Sequence, residues 1–157
     1  MYNGLVHLHN FVRWILLLLL IVAIVRHLMG MSGNKSYTSG DRKTDLFLMI
    51  SAHTQLTLGL ILWFFGDLGF RLIRSTQDFG ALMKDPVARF WTIEHITGMA
   101  IAVILITIGR GATKKNIPDV SKHKRAFWFY IIALILIMLL VPWPGREVAR
   151  PIFPGMG

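Results

Sequence analysis

The chain has 157 residues, 54% of them hydrophobic and 16% charged, with a mean hydropathy of +0.56. One domain is expected at this length, and the apolar residues gather into runs of the ~20 residues that cross a ~30 Å hydrocarbon layer. The cysteine count of zero excludes disulfides, iron–sulfur clusters, thiolate zinc sites and covalent c-type haem, and the net charge of +9 is read against membrane topology rather than as a nucleic-acid footprint.

The first apolar run, about 5–29, is too long for a cleavable signal segment, and no small-residue cleavage site follows it. Gly30, Ser32, Gly33 and Asn34 end it, and Ser39 or Asp41 is placed to cap a second helix over about 43–66. Residues 67–85 mix Phe70, Leu72, Ile73, Phe79 and Leu82 with Arg71, Arg74 and Asp78, the composition of a connection lying along the membrane surface. Asp85 before Pro86 opens a third helix, to about Gly109, since Asp caps free N–H groups and proline at the first helical position loses no needed bond. A basic stretch leads through Ser121 into a fourth helix, about 122–142, stopped by Pro142 and Pro144. The segment Gly109–Lys115 lacks phosphate-loop spacing and reads as a helix stop with a positive cluster whose lysines touch anionic lipid. The expected architecture is an all-α integral membrane protein, one domain over 1–157, with four transmembrane helices in an antiparallel bundle and a short interfacial tail.

Orientation follows from the basic residues. Arg26, Lys35, Arg42, Lys43, Arg110, Lys114, Lys115, Lys122, Lys124 and Arg125, ten of the 17, lie on the first and third connections, which are therefore expected in the cytoplasm. Both termini fall on the periplasmic side of a bacterial inner membrane. Trp63, Trp91, Trp128, Trp143 and Tyr130 lie near helix ends, as amphipathic rings do at headgroup level.

Burying a charge in the slab costs about 2.5 to 3.5 kcal/mol on insertion scales, so each ionisable residue there is a functional candidate. These are His7, His9 and Arg13 on the first helix, His53 on the second, and Glu94 and His95 on the third. His27 and His123, beside Arg26, Lys122 and Lys124 at the cytoplasmic ends, are read as structural or solvated. At a rise of about 1.5 Å per residue, His9 lies roughly 7 Å and His95 roughly 9 to 13 Å inside the outer boundary, whereas His53 is roughly 20 Å deep. His9 and Arg13 share a helix face, while His7 points away toward the headgroups.

Two level imidazoles on different helices are what a low-spin haem iron needs from its two faces. Arg13 would then pair with a haem propionate or with Glu94. Gly59, Gly98, Ala100 and Ala102 would clear space for the flat macrocycle, and Met99, one turn after His95, would pack on its edge or serve as an alternative axial ligand. The same polar residues also suit interhelical hydrogen bonding in a cofactor-free bundle. A third reading makes His9, His53 and His95, with Glu94, ligands of a Zn, Fe or Cu ion or members of a proton relay. The depth of His53 and the ~100° between Glu94 and His95 on their helix count against a single small ion.

The segments His7-Leu8-His9-Asn10-Phe11-Val12-Arg13-Trp14, Ala52-His53-Thr54-Gln55-Leu56 with Gly59-Leu60, Met83-Lys84-Asp85, Glu94-His95, and Pro142-Trp143-Pro144 with Arg146-Glu147 resemble small four-helix membrane proteins of Bacteroidota labelled cytochrome b-like. The resemblance runs over nearly the whole chain. It implies a b-type four-helix inner-membrane protein in which His9, His53 and His95 match the shared histidines. The leading expectation is one haem b between His9 and His95, with His53 in reserve, in quinone-linked electron transfer rather than as a stand-alone enzyme. The alternative is a cofactor-free accessory subunit. Expected partners are membrane lipids, a quinone, and a larger respiratory or transport complex or further copies of the chain, with no nucleic acid.

Overall fold

The structure, a computed structural model, describes residues 2–150, and every regular element among them is helical. Helix α1 (Tyr2–Ser32) closes on Asn34, whose φ of 46° lets the Lys35 N–H reach back to the Gly30 carbonyl at 3.0 Å. That left-handed residue with its long-range bond is what ends the helix. Helix α2 (Ser39–Phe65) starts from neither expected cap. Thr38 is the N-cap, its Oγ1 accepting the Asp41 N–H at 3.3 Å while Asp41 Oδ2 accepts the Thr38 N–H at 2.8 Å. Asp41 thus contributes as the third helical residue of a reciprocal capping box.

The connection after α2 folds into two short helices, α3 (Phe70–Ser75) and α4 (Phe79–Lys84). Asp85 then caps α5 (Pro86–Arg89), its Oδ1 accepting the N–H groups of Val87 and Ala88. The third apolar run is not one uniform helix. A π-helical turn over Phe90–Glu94 precedes α6 (His95–Thr113). The Thr92 carbonyl in that turn accepts the Trp63 Nε1–H at 2.9 Å. Such an inserted residue rotates everything beyond it, and π-turns concentrate at functional sites. Gly109 does not stop α6, which continues to Thr113, and α7 (Asp119–Leu140) begins directly after Pro118, ahead of Ser121.

Helix α1 packs on α2 and α7, and α6 packs on the same two, so the four long helices close a ring. Its core is lined by Leu20, Leu48, Ala52, Ile106 and Tyr130, while Leu18, Phe47, Phe65, Ile104 and Leu139 face outward. Four helices are long and apolar enough to cross a membrane. Apolar faces on the outside and small residues inside are what lipid-facing helices require, and the chain is a multi-pass membrane protein.

Candidate functional site

Polar side chains meet inside the bundle at two levels. At the first, α1 contributes His9 and Arg13, α2 contributes Gln55, and α6 contributes His95. His9, Arg13 and His95 lie within electrostatic reach of one another. The His95 Nδ1–H donates to the Leu140 carbonyl at 2.8 Å, and its ring packs against Phe90 and Trp91 at 5.6 Å from each. That bond fixes the tautomer and leaves Nε2 as the acceptor. His9 Nε2 lies 3.3 Å from Gln55 Nε2, while His9 Nδ1 and Gln55 Oε1 are buried without a hydrogen-bond partner among the described residues. The Arg13 guanidinium lies over the rings of Trp14 and Trp143, at 5.2 and 5.8 Å from their centroids, which offsets part of the cost of a cation at this depth.

Several expected roles come out differently. Glu94 pairs with Arg89 at 2.6 Å rather than with Arg13, because the π-turn brings the two residues together on the connection side. Gly59 and Gly98 do not hold open a slot. A methyl group on Gly59 would meet His9 Cε1 at 3.2 Å, and one on Gly98 would run into the Leu140 side chain, so each glycine already accommodates a neighbour. Met99 is partly buried and packs on the apolar core. His53 is exposed, donating its Nδ1–H to the Met49 carbonyl at 2.9 Å, and lines an open, mostly apolar groove of about 480 Å³ that reaches Thr107 of α6. It does not join His9 and His95. Among the described residues there is no group of three or more His, Asp or Glu side chains able to hold a metal ion. His7 is exposed, as its position on α1 suggested.

At the second level His27 and His123, read as structural or solvated, are buried rather than solvated. Both are only 1% exposed. Their Nδ1 atoms lie 2.9 Å apart, and His27 Nε2 lies 2.9 Å from Oδ1 of Asp45, itself 1% exposed. Oδ2 of Asp45 accepts the Tyr37 hydroxyl at 2.7 Å, and that hydroxyl is 3.1 Å from Thr113 Oγ1. His27 thus bridges the Asp45 carboxylate and the His123 ring, and His123 Nε2 ends the chain as a buried atom with no hydrogen-bond partner among the described residues. Gly30 makes this possible, since a methyl group there would stand 2.5 Å from the His123 ring. Tyr37 sits outside the spans. Its burial, reinforced by the Asp45 carboxylate, pushes its ionisation above the ordinary tyrosine range and keeps it a donor.

A spacing in the sequence carried this second level. His123, Ala126, Tyr130, Ala133 and Ile137 recur every three or four residues, as do Leu16, Leu20, Ala23, His27 and Gly30, and Asp41, Asp45, Leu48 and Ala52. Each polar residue lies on the buried stripe of its helix.

Comparison with models of known families, with curated proteins and with solved structures gives no match to this chain. The functional reading therefore rests on the residues themselves.

Proposed function

We propose that the chain is an antiparallel four-span protein of a bacterial inner membrane, termini outward, that holds one haem b between His9 and His95 and takes part in quinone-linked electron transfer. The observation that carries this reading is the posture of His95. Its Nδ1–H is anchored on a main-chain carbonyl, which leaves Nε2 as the acceptor nitrogen, the arrangement by which a hydrogen-bond acceptor behind the ring orients an iron-ligating imidazole. Support comes from the orphaned His9 Nδ1 and Gln55 Oε1 beside it, and from Arg13 in reach of both rings. The donor chemistry fits a b-type haem, whereas the space at Gly98 is taken by the tip of Leu140, a flexible side chain.

When bound, the haem would supply one-electron transfer at a potential set by its axial ligands and surroundings. The chain's own residues do the rest. The Leu140 carbonyl orients His95, Gly59 seats the His9 ring close to α2, and Arg13 offers a fixed positive charge to a carboxylate. Phe90 and Trp91 shield the His95 ring from water.

The filled positions at Gly59 and Gly98 favour one other reading, a cofactor-free accessory subunit in which His9 and His95 only join helices. A reduced-minus-oxidised spectrum with pyridine haemochrome, taken on the detergent-purified chain from haem-supplied cells, separates the two. The haem reading expects a b-type band that is lost in His9→Ala and His95→Ala and retained in His53→Ala. A colourless protein, or a band indifferent to His9 and His95, would leave the accessory subunit.

A further inference from the structure

Tyr37, Arg42, Arg110, Thr113, Lys114 and Lys122 line a recess of about 370 Å³ at the His27 end of the bundle. Four of the six are cations, and they come from three different helices and the residue capping one of them. Lys122 is held by Asp119 at 2.8 Å, and Arg110 makes a 3.8 Å contact to the Met49 sulfur. Arg42 and Lys114 have no carboxylate partner among the described residues. The remaining carboxylates nearby are committed, Asp41 to Arg26 and Asp45 to His27 and Tyr37.

Helix dipoles do not account for this charge. The C-terminal end of α6 presents only about half a negative charge to Arg110 and Lys114, and Arg42 stands in the first turn of α2, where the dipole disfavours a cation. The wall of the recess is also rigid. The Tyr37 N–H donates to Asp119 at 3.0 Å, its hydroxyl is bonded to Asp45, and its ring lies 5.6 Å from the Lys122 ammonium. Guanidinium forks with an added ammonium, preorganised around a concave site, match the oxygens of a phosphate group.

We infer that this recess binds a phosphate group, carried either by the headgroup of an anionic phospholipid or by free inorganic phosphate. Tyr37 and Thr113 complete the lining, and their hydroxyl protons are committed to Asp45 and to the Arg110 carbonyl, so the anion is held by the cations.

The test uses the full chain in detergent. Native mass spectrometry measures retention of phosphatidylglycerol against phosphatidylcholine, and calorimetry measures binding of inorganic phosphate. Arg42→Gln with Lys114→Gln is compared with Lys124→Gln with Arg125→Gln, an equal charge change at exposed positions outside the recess. The expected result is binding of one probe that falls about tenfold or more in the first pair, since a charge-assisted contact exceeds the 1.4 kcal/mol that a decade represents, and persists in the second. Selective retention of phosphatidylglycerol identifies a lipid headgroup, and a calorimetric signal with phosphate identifies the free anion. Equal losses in both pairs, or binding of neither probe, would overturn the inference. Circular dichroism checks the fold, and each single substitution serves if the pair is poorly folded. The haem spectrum is independent of these readouts.

Discussion

Gly30→Ala tests whether the buried His27–His123 contact holds the bundle together. The added methyl would stand 2.5 Å from Cγ and Nδ1 of His123 and 2.6 Å from its Cδ2, against 3.4 Å or more for ordinary contact. The obstacle is a ring whose Nδ1 is already bonded to His27 at 2.9 Å. Retreat by about an ångström would take that bond out of range. Overpacking costs about 1–3 kcal/mol, and the lost bond adds about 0.5–1.5 kcal/mol, nearer the lower figure within a membrane. Alanine's better helix propensity returns about 1 kcal/mol. The net expectation is a loss of about 0.5–3 kcal/mol, which for a chain of this size lowers Tm by roughly 1–12 °C. Gly111→Ala is the control, because nothing lies within 4 Å of its methyl, and it should raise Tm by a few degrees through propensity, about 2–4 °C. The assay is thermal circular dichroism in detergent. In a His123→Ala background the Gly30 substitution should lose its cost, since the obstructing ring is gone. A Gly30→Ala protein that melts at or above Gly111→Ala would refute the reasoning.

Thr38→Ala removes one half of the capping box on α2 and should cost about 1 kcal/mol, seen as a Tm lower by roughly 2–4 °C; an unchanged melt would show that α2 starts independently of it. Tyr37 has a raised ionisation in the folded state, so its contribution to stability is fully present below the ordinary tyrosine value of 10.0 and is lost as pH climbs past it. Tyr37→Phe should therefore lower stability near neutrality by about 1 kcal/mol, through the lost bond to Asp45, and flatten the alkaline decline. Parallel alkaline limbs in the two proteins would refute that assignment.

The four spans were legible because twenty-residue apolar runs admit no other structure in lipid, and the Asp85–Pro86 start was legible because both residues act locally. The π-turn at Phe90–Glu94 was not, since nothing in that stretch breaks a helical pattern, and it redirected Glu94 to Arg89. The grouping of His9 with His95 followed from depth counting, and that of Arg13 with His9 from their four-residue spacing on one helix face. The space around Gly59 and Gly98 could not be counted from sequence, because a glycine announces close approach without saying whether a ligand or a neighbouring side chain makes it.

The basic sequence neighbours of His27 and His123, namely Arg26, Lys122 and Lys124, suggest a solvated setting, whereas both rings are buried and bonded. On a helix, adjacent residues face about 100° apart, so a charged neighbour says little about where an imidazole points. The three- and four-residue spacing says more, since it carries Leu20 and Ala23 on to His27 and Gly30, and Tyr130 and Ala126 back to His123. The same rule sets His53 one residue off the Asp45–Leu48–Ala52 stripe, on the outer face of α2. Applied along all four helices, stripe membership selects His9 with Arg13, His27, Asp45, His95 and His123, and rejects His53. A polar residue on the stripe must find its partner on another helix of the bundle, because water and lipid are both out of reach. That requirement ties His27 to Asp45 and His123, His9 to Gln55, and His95 to the Leu140 carbonyl, each across to another helix.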